Sequence, residues 1–225
     1  MSSLQRRSWH LDALCSTPTS ERHPMDTGKL IFEAINLLGL IHEKTQSPEE
    51  KELLLAAAEA LRFINTTGQQ YEFEDYRKDL RTDGPEVVIA TFATHEEAAE
   101  WLKNHPKPPH MAAVLIADQY HTVYYWRDRD LRRMPFSHSI EYHLEEMMKD
   151  GLPPAVASFN TRDEARAWFY NLPERPSQAV IQLGGEPYLA AYHRNIDHLA
   201  FHPFSLVEGF KEWRKKKGTE EPEPQ

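Results

Sequence analysis

The sequence predicts an α+β protein, made of an N-terminal helical hairpin followed by two tandem β-α-β-β-α units, each forming a two-layer α/β sandwich. Three observations carry this reading. Residues 90–127 recur at 157–194 without a gap, at a constant offset of 67, with 12 identities in 38 positions. A repeat of that length marks a supersecondary unit used twice. Each copy opens with an apolar run, Glu86–Phe92 or Ala155–Phe159, followed by a Thr-x-x-Glu start signal for a helix. Upstream of both copies, apolar residues recur at helical spacing.

The expected organisation is a flexible polar leader over 1–24, a helical region over 25–82, units over 85–150 and 153–217, and a Glu/Pro-rich tail over 218–225 that is expected to be disordered. The leader has no patterning, and Met25 offers an alternative start. In the helical region Asp26 can cap a helix whose stripe includes Leu30, Ile31, Ala34, Ile35, Leu38 and Ile41. Ser47, Pro48 and Glu50 start a second helix, which runs through Leu54, Ala57 and Leu61 to a stop near Gly68. A short third helix fits Gln69–Leu80. Stripes this apolar must be covered, either by the chain's own sheet or by a second copy, so a homodimer through these helices is one expectation.

Within each unit, Thr94 and Thr161 cap the first helix, with Glu97 and Glu164 three residues on, which assigns both glutamates to helix nucleation. Trp101 and Trp168 sit beside Ala98 and Ala165 on one helix face and are expected to press onto the sheet. Pro106 and Pro173 end the helices. A hairpin of two strands follows, Met111–Ala117 with Tyr120–Arg127, and Gln178–Leu183 with Tyr188–Arg194. A closing helix is expected near 138–149 and 206–217.

The chain has 225 residues and 35 acidic side chains against 26 basic ones, a formal charge of −9. Nucleic acid is a poor partner for such a chain, because binding it rests on neutralising phosphates. A basic protein is a better one. No apolar run approaches the length needed to span a bilayer, and no signal peptide is recognisable, so no membrane association and a cytoplasmic location are expected. The single cysteine, Cys15, permits no internal disulfide.

Two sets of residues stand out. Tyr120, Tyr124 and Trp126 alternate on one face of the third strand, where the second copy has Pro187, Ala191 and His193. An aromatic face present in one copy alone suits a partner-binding surface. On the opposite face, Tyr125 and Arg127 recur as Tyr192 and Arg194, and such a pair from each copy can clamp an anionic ligand in a cleft between the units. His198 and His202 have the spacing of helical metal ligands, but Pro203 follows at once and no His-Glu-x-x-His motif or second cysteine is present. Neither a metal nor a cofactor is expected, and there is no nucleophile motif or phosphate loop. The expected function is a non-enzymatic, acidic protein-binding module, such as an immunity- or antitoxin-type protein covering a basic enzyme, or a regulatory adaptor. The alternative is an anionic small-molecule binder or enzyme using Tyr125, Arg127, Tyr192 and Arg194.

Overall fold

A computed structural model describes residues 26–81 and 84–218. The expected leader with Cys15, and the tail beyond Gly218, lie outside the described residues. The chain is of mixed α+β class and divides into two compact units, one ending at Tyr71 and the other starting at Glu72.

The first unit holds helices α1 (Thr27–Lys44) and α2 (Pro48–Thr66). Asp26 accepts a hydrogen bond from the Lys29 amide and Ser47 one from the Glu50 amide, so both starts follow from side chains that satisfy otherwise unpaired first-turn N–H groups. Only Thr45–Ser47 joins the helices, and a connection that short makes two touching helices antiparallel neighbours. Few residues of either helix are fully buried: Thr27, Ile31 and Ala58. Helix α3 (Gln70–Leu80) begins at the boundary.

The second unit contains two four-stranded sheets. The first comprises β1 (Val88–Phe92), β2 (Ala112–Ile116), β3 (Gln119–Trp126) and β4 (Leu131–Arg133), with helices α4 (His95–Asn104) and α5 (Ser139–Met147). The second comprises β5 (Ala157–Phe159), β6 (Gln178–Leu183), β7 (Glu186–His193) and β8 (His198–Pro203), with α6 (Arg162–Tyr170) and α7 (Leu206–Gly218). Each sheet has sequential strand order, its first pair parallel and the rest antiparallel. Each therefore has a strand more than the sequence suggested. β4 is only three residues long. In β8 both faces are buried, so no polar/apolar alternation announces it.

Local contacts at matching positions agree closely. The Phe92–Trp101 and Phe159–Trp168 ring pairs are both 5.3 Å apart, at 49° and 44°. The Ala117 and Gly184 amides donate to the Phe92 and Phe159 carbonyls at 2.9 Å. At the helix starts there is one small difference. Glu164 accepts from the cap residue's own amide as well as from Asn160, whereas Glu97 accepts from Ala93.

The two sheets, each expected as part of a two-layer α/β sandwich, pack on one another in a layered stack. Ala113, Leu115 and Tyr120 of the first sheet share one buried cluster with Val180, Leu189 and Ala200 of the second. The outer face of the first sheet is covered by α4 through Leu102 and Trp101, and that of the second by α6 through Ala165 and Phe169. α5 and α7 touch each other and add Ile140, Leu144 and Val207 to the cluster between the sheets. Where the two sheets meet, burying their inner faces is worth on the order of 1.5–3 kcal/mol per large aliphatic side chain.

Candidate interaction surface

Register places Tyr120, Thr122, Tyr124 and Trp126 on the β3 face that looks toward the second sheet, with Leu131 and Arg133 of β4 opposite Trp126 and Tyr124. The second sheet covers only part of this face. Tyr120 is 0% exposed, its hydroxyl sharing a 3.2 Å hydrogen bond with His193 Nε2 and its ring leaning on His202 at 5.6 Å. Tyr124 is half-buried and Trp126 is 38% exposed. The expected three-residue aromatic face is thereby divided: Tyr120 is interior and unavailable to any partner, while Tyr124 and Trp126 reach the surface.

The exposed end is ordered by its own contacts. The Tyr124 and Trp126 rings stack at 5.6 Å with only 10° between their planes. The exposed His110 ring meets both edge-on, at 6.0 and 5.9 Å, and its Nδ1 accepts a hydrogen bond from the Tyr125 amide. Two aromatic faces, an imidazole edge and the exposed Arg133 thus lie together. Flat, rigid rings with polar tips lose little conformational entropy when covered, which is why they concentrate at interface centres.

Between the sheets lies a polar cluster that sequence reading missed as a unit. Asp118, in the β2–β3 turn, pairs with His198 Nε2 at 2.8 Å and lies 4.0 Å from Arg162. Burial pushes the Asp118 carboxyl up, but the His198 hydrogen bond and the His198, His202 and Arg162 charges outweigh it and hold the group below its ordinary value. His193 and His202 are 4% and 3% exposed, and burial drives their pKa values down to about 3 and about 4. Both are neutral near pH 7, and His202 Nε2 has no partner among the described residues. The spacing of His198 and His202 is that of a strand, since both lie in β8. No group of three His, Cys, Asp or Glu side chains among the described residues is placed to hold a metal ion.

The residues expected to clamp an anion do not converge. Arg194 lines an open groove of ≈ 740 Å³ together with Arg175, Trp168, Gln178 and Met147, and none of Tyr125, Arg127 or Tyr192 is in that wall. The guanidinium groups there are committed internally. Arg194 donates to the Arg175 carbonyl, and Arg175 donates to the Tyr192 hydroxyl and lies 3.5 Å from Asp197. Tyr192 in turn donates to Asp197 at 2.7 Å. Tyr125 lies under the Arg132 guanidinium at 5.4 Å, and Arg127 is exposed in the turn that follows β3.

Comparison with family models, with curated proteins and with solved structures gave no match. No helix among the described residues is long and apolar enough to cross a membrane.

Proposed function

We propose that the chain is a cytoplasmic, non-enzymatic protein-binding module, that its two sheets are copies of one duplicated unit, and that the Tyr124–Trp126–His110 surface is where a partner docks. The observation that carries this reading is the stacked, solvent-reaching tyrosine–tryptophan pair on a sheet face otherwise buried between the sheets. In the second sheet the position matching Trp126 is His193, which is interior. An aromatic at Trp126 is therefore not a requirement of the unit's fold. The formal charge of −9 favours a basic partner, because opposite net charges raise the encounter rate at low salt. An immunity- or antitoxin-type protein covering a basic enzyme and a regulatory adaptor are the two forms that this reading admits. The groove beside Arg175 and Arg194 supports the small-molecule alternative less well, since those arginines already hold one another and Asp197 in place.

The test compares proteins captured from the native host by the wild-type chain and by Trp126→Ala, each confirmed folded. A partner retained by the first and lost by the second is expected. Identical captured sets from both baits would remove the aromatic surface as the docking site.

A further inference from the structure

Resting on the docking reading and deepening it, we propose that the segment received at the Tyr124–Trp126–His110 surface is an acidic one that carries a ring beside its carboxylates. The strand pair bearing this surface is basic although the chain is acidic: between Gln119 and Met134 four arginines stand against Asp128 and Asp130. Both aspartates face arginine neighbours, Asp128 with Arg129 at 3.4 Å and Asp130 with Arg132 at 3.0 Å. Arg127 and Arg133 are exposed and have no ion-pair or hydrogen-bond partner among the described residues. Arg133 is opposite Tyr124 in the β3–β4 register and so shares its face. The net charge of −9 bears on the approach of whole molecules, whereas a seated segment meets only charges within a screening length of about 8–10 Å.

The two sheets differ at one ladder position, and the difference supplies a second donor. In the second sheet the Tyr192 amide donates to the Ser177 carbonyl at 2.8 Å. At the matching position of the first, the Tyr125 amide donates instead to the His110 imidazole Nδ1, at 3.2 Å. The backbone turns aside where this happens: Met111, 60% exposed, has φ of 62°, whereas its counterpart Gln178 begins β6. A left-handed residue that is not glycine is strained, and such strain gathers at working surfaces. With Nδ1 accepting from an amide, the ring proton sits on Nε2, which has no partner among the described residues. Tyr124 thus stands between two donors, the His110 N–H on the β2 side and the Arg133 guanidinium on the β4 side. A carboxylate can accept from both, while a cation would meet like charge. The Tyr124 and Trp126 rings add a place for a flat side chain, edge-on or offset.

The probes are three capped peptides, acetyl-Glu-Phe-Glu-amide and its Gln-Phe-Gln and Lys-Phe-Lys counterparts, titrated to millimolar concentration into the isotope-labelled full chain. The Trp126 indole and Tyr125 amide signals are followed by NMR. The acidic peptide is expected to move both and to bind about tenfold more tightly than the glutamine peptide, the difference between a charged and a neutral acceptor. The lysine peptide is expected to leave both unmoved. Arg133→Glu, at an exposed position, should keep the spectrum of the folded chain and transfer the preference to the lysine peptide. Equal binding of the acidic and glutamine peptides, a preference of the wild type for lysine, or no movement at Trp126 overturns the proposal. So does an acidic preference that survives Arg133→Glu, since the cationic contact would then lie elsewhere on the chain. The capture comparison tests the docking reading separately. Identical captured sets remove that reading and this inference with it, whereas differing sets together with a lysine preference overturn this inference alone.

Discussion

Ala117 and Asp118 occupy a two-residue turn with φ of 49° and 61°, where the matching turn has Gly184 and Gly185. A left-handed non-glycine residue costs about 1–2 kcal/mol, and glycine returns about 0.5–1 kcal/mol of that through the entropy of the unfolded chain. Ala117→Gly is therefore expected to stabilise the protein by about 0.5–1 kcal/mol, read from the denaturant midpoint. Asp118 is retained in this strained position by its carboxylate, which reaches His198 across the sheets. Tyr120 and Trp126 give a second contrast. Tyr120→Phe removes the hydroxyl that His193 shares and is expected to cost about 1–2 kcal/mol. Trp126→Ala gives up the Tyr124 stack and the His110 edge contact and should cost about 0.5–1.5 kcal/mol while weakening partner binding. If thermal melts show Trp126→Ala to be the more damaging of the two, that ring is structural and the proposed docking surface is wrong.

At the scale of elements, α4 ends under an arginine. Arg132 of β4 donates to the carbonyls of Leu102, Lys103 and His105, satisfying acceptors that the helix end leaves open. It is held there by Asp130 and by the Tyr125 ring. Arg132→Lys keeps the charge but not the planar fork, and a loss of about 1–2 kcal/mol is expected, with earlier hydrogen exchange at the end of α4. For α6 the structure redistributes the load expected of its tryptophan. Phe169 is 0% exposed between α6 and its sheet, whereas Trp168 is only partly buried and also lines the groove. Phe169→Ala is expected to cost about 3–5 kcal/mol, and Trp168→Ala less. Equal losses in chemical denaturation would show that the groove side of Trp168 is as tightly packed as the core.

For the whole molecule, the interior imidazoles make stability depend on pH. His193 and His202 have folded-state pKa values of about 3 and about 4, below the ordinary 6.5, with burial the largest cause for each. Above about pH 6.5 both states of the protein are neutral at these sites and nothing is lost. As pH falls below that, the unfolded chain takes up protons that the folded one refuses. Each histidine then removes about 1.4 kcal/mol per pH unit until its folded pKa is reached. The lowered carboxyl of Asp118 acts in the same direction at lower pH, since its ionised form belongs to the folded state. His202→Leu fills a site whose Nε2 lacks a partner among the described residues, and it should flatten the pH dependence between 6 and 4 and move the acid midpoint lower. An unchanged slope would mean that His202 is protonated inside the folded protein.

What could be read from the sequence was what nearby residues decide. The caps at Ser47, Thr94 and Thr161 depend on an oxygen and an amide three residues apart, and the first helices and hairpin strands follow from periodicity over about ten residues. The short β4 and the doubly buried β8 gave no such signal, because their strand character comes from pairing with β3 and β7. The candidate site shows the same limit more sharply. Tyr120, Tyr124 and Trp126 lie on one face of one strand, and the local pattern treats them alike. Whether each is interior or surface is decided by where the second sheet comes to rest, through contacts such as Tyr120–His193 and Asp118–His198 between residues distant in the chain. Local hydrogen bonding and side-chain periodicity are written along the sequence, whereas the boundary between core and surface at Trp126 is set only when the two sheets meet.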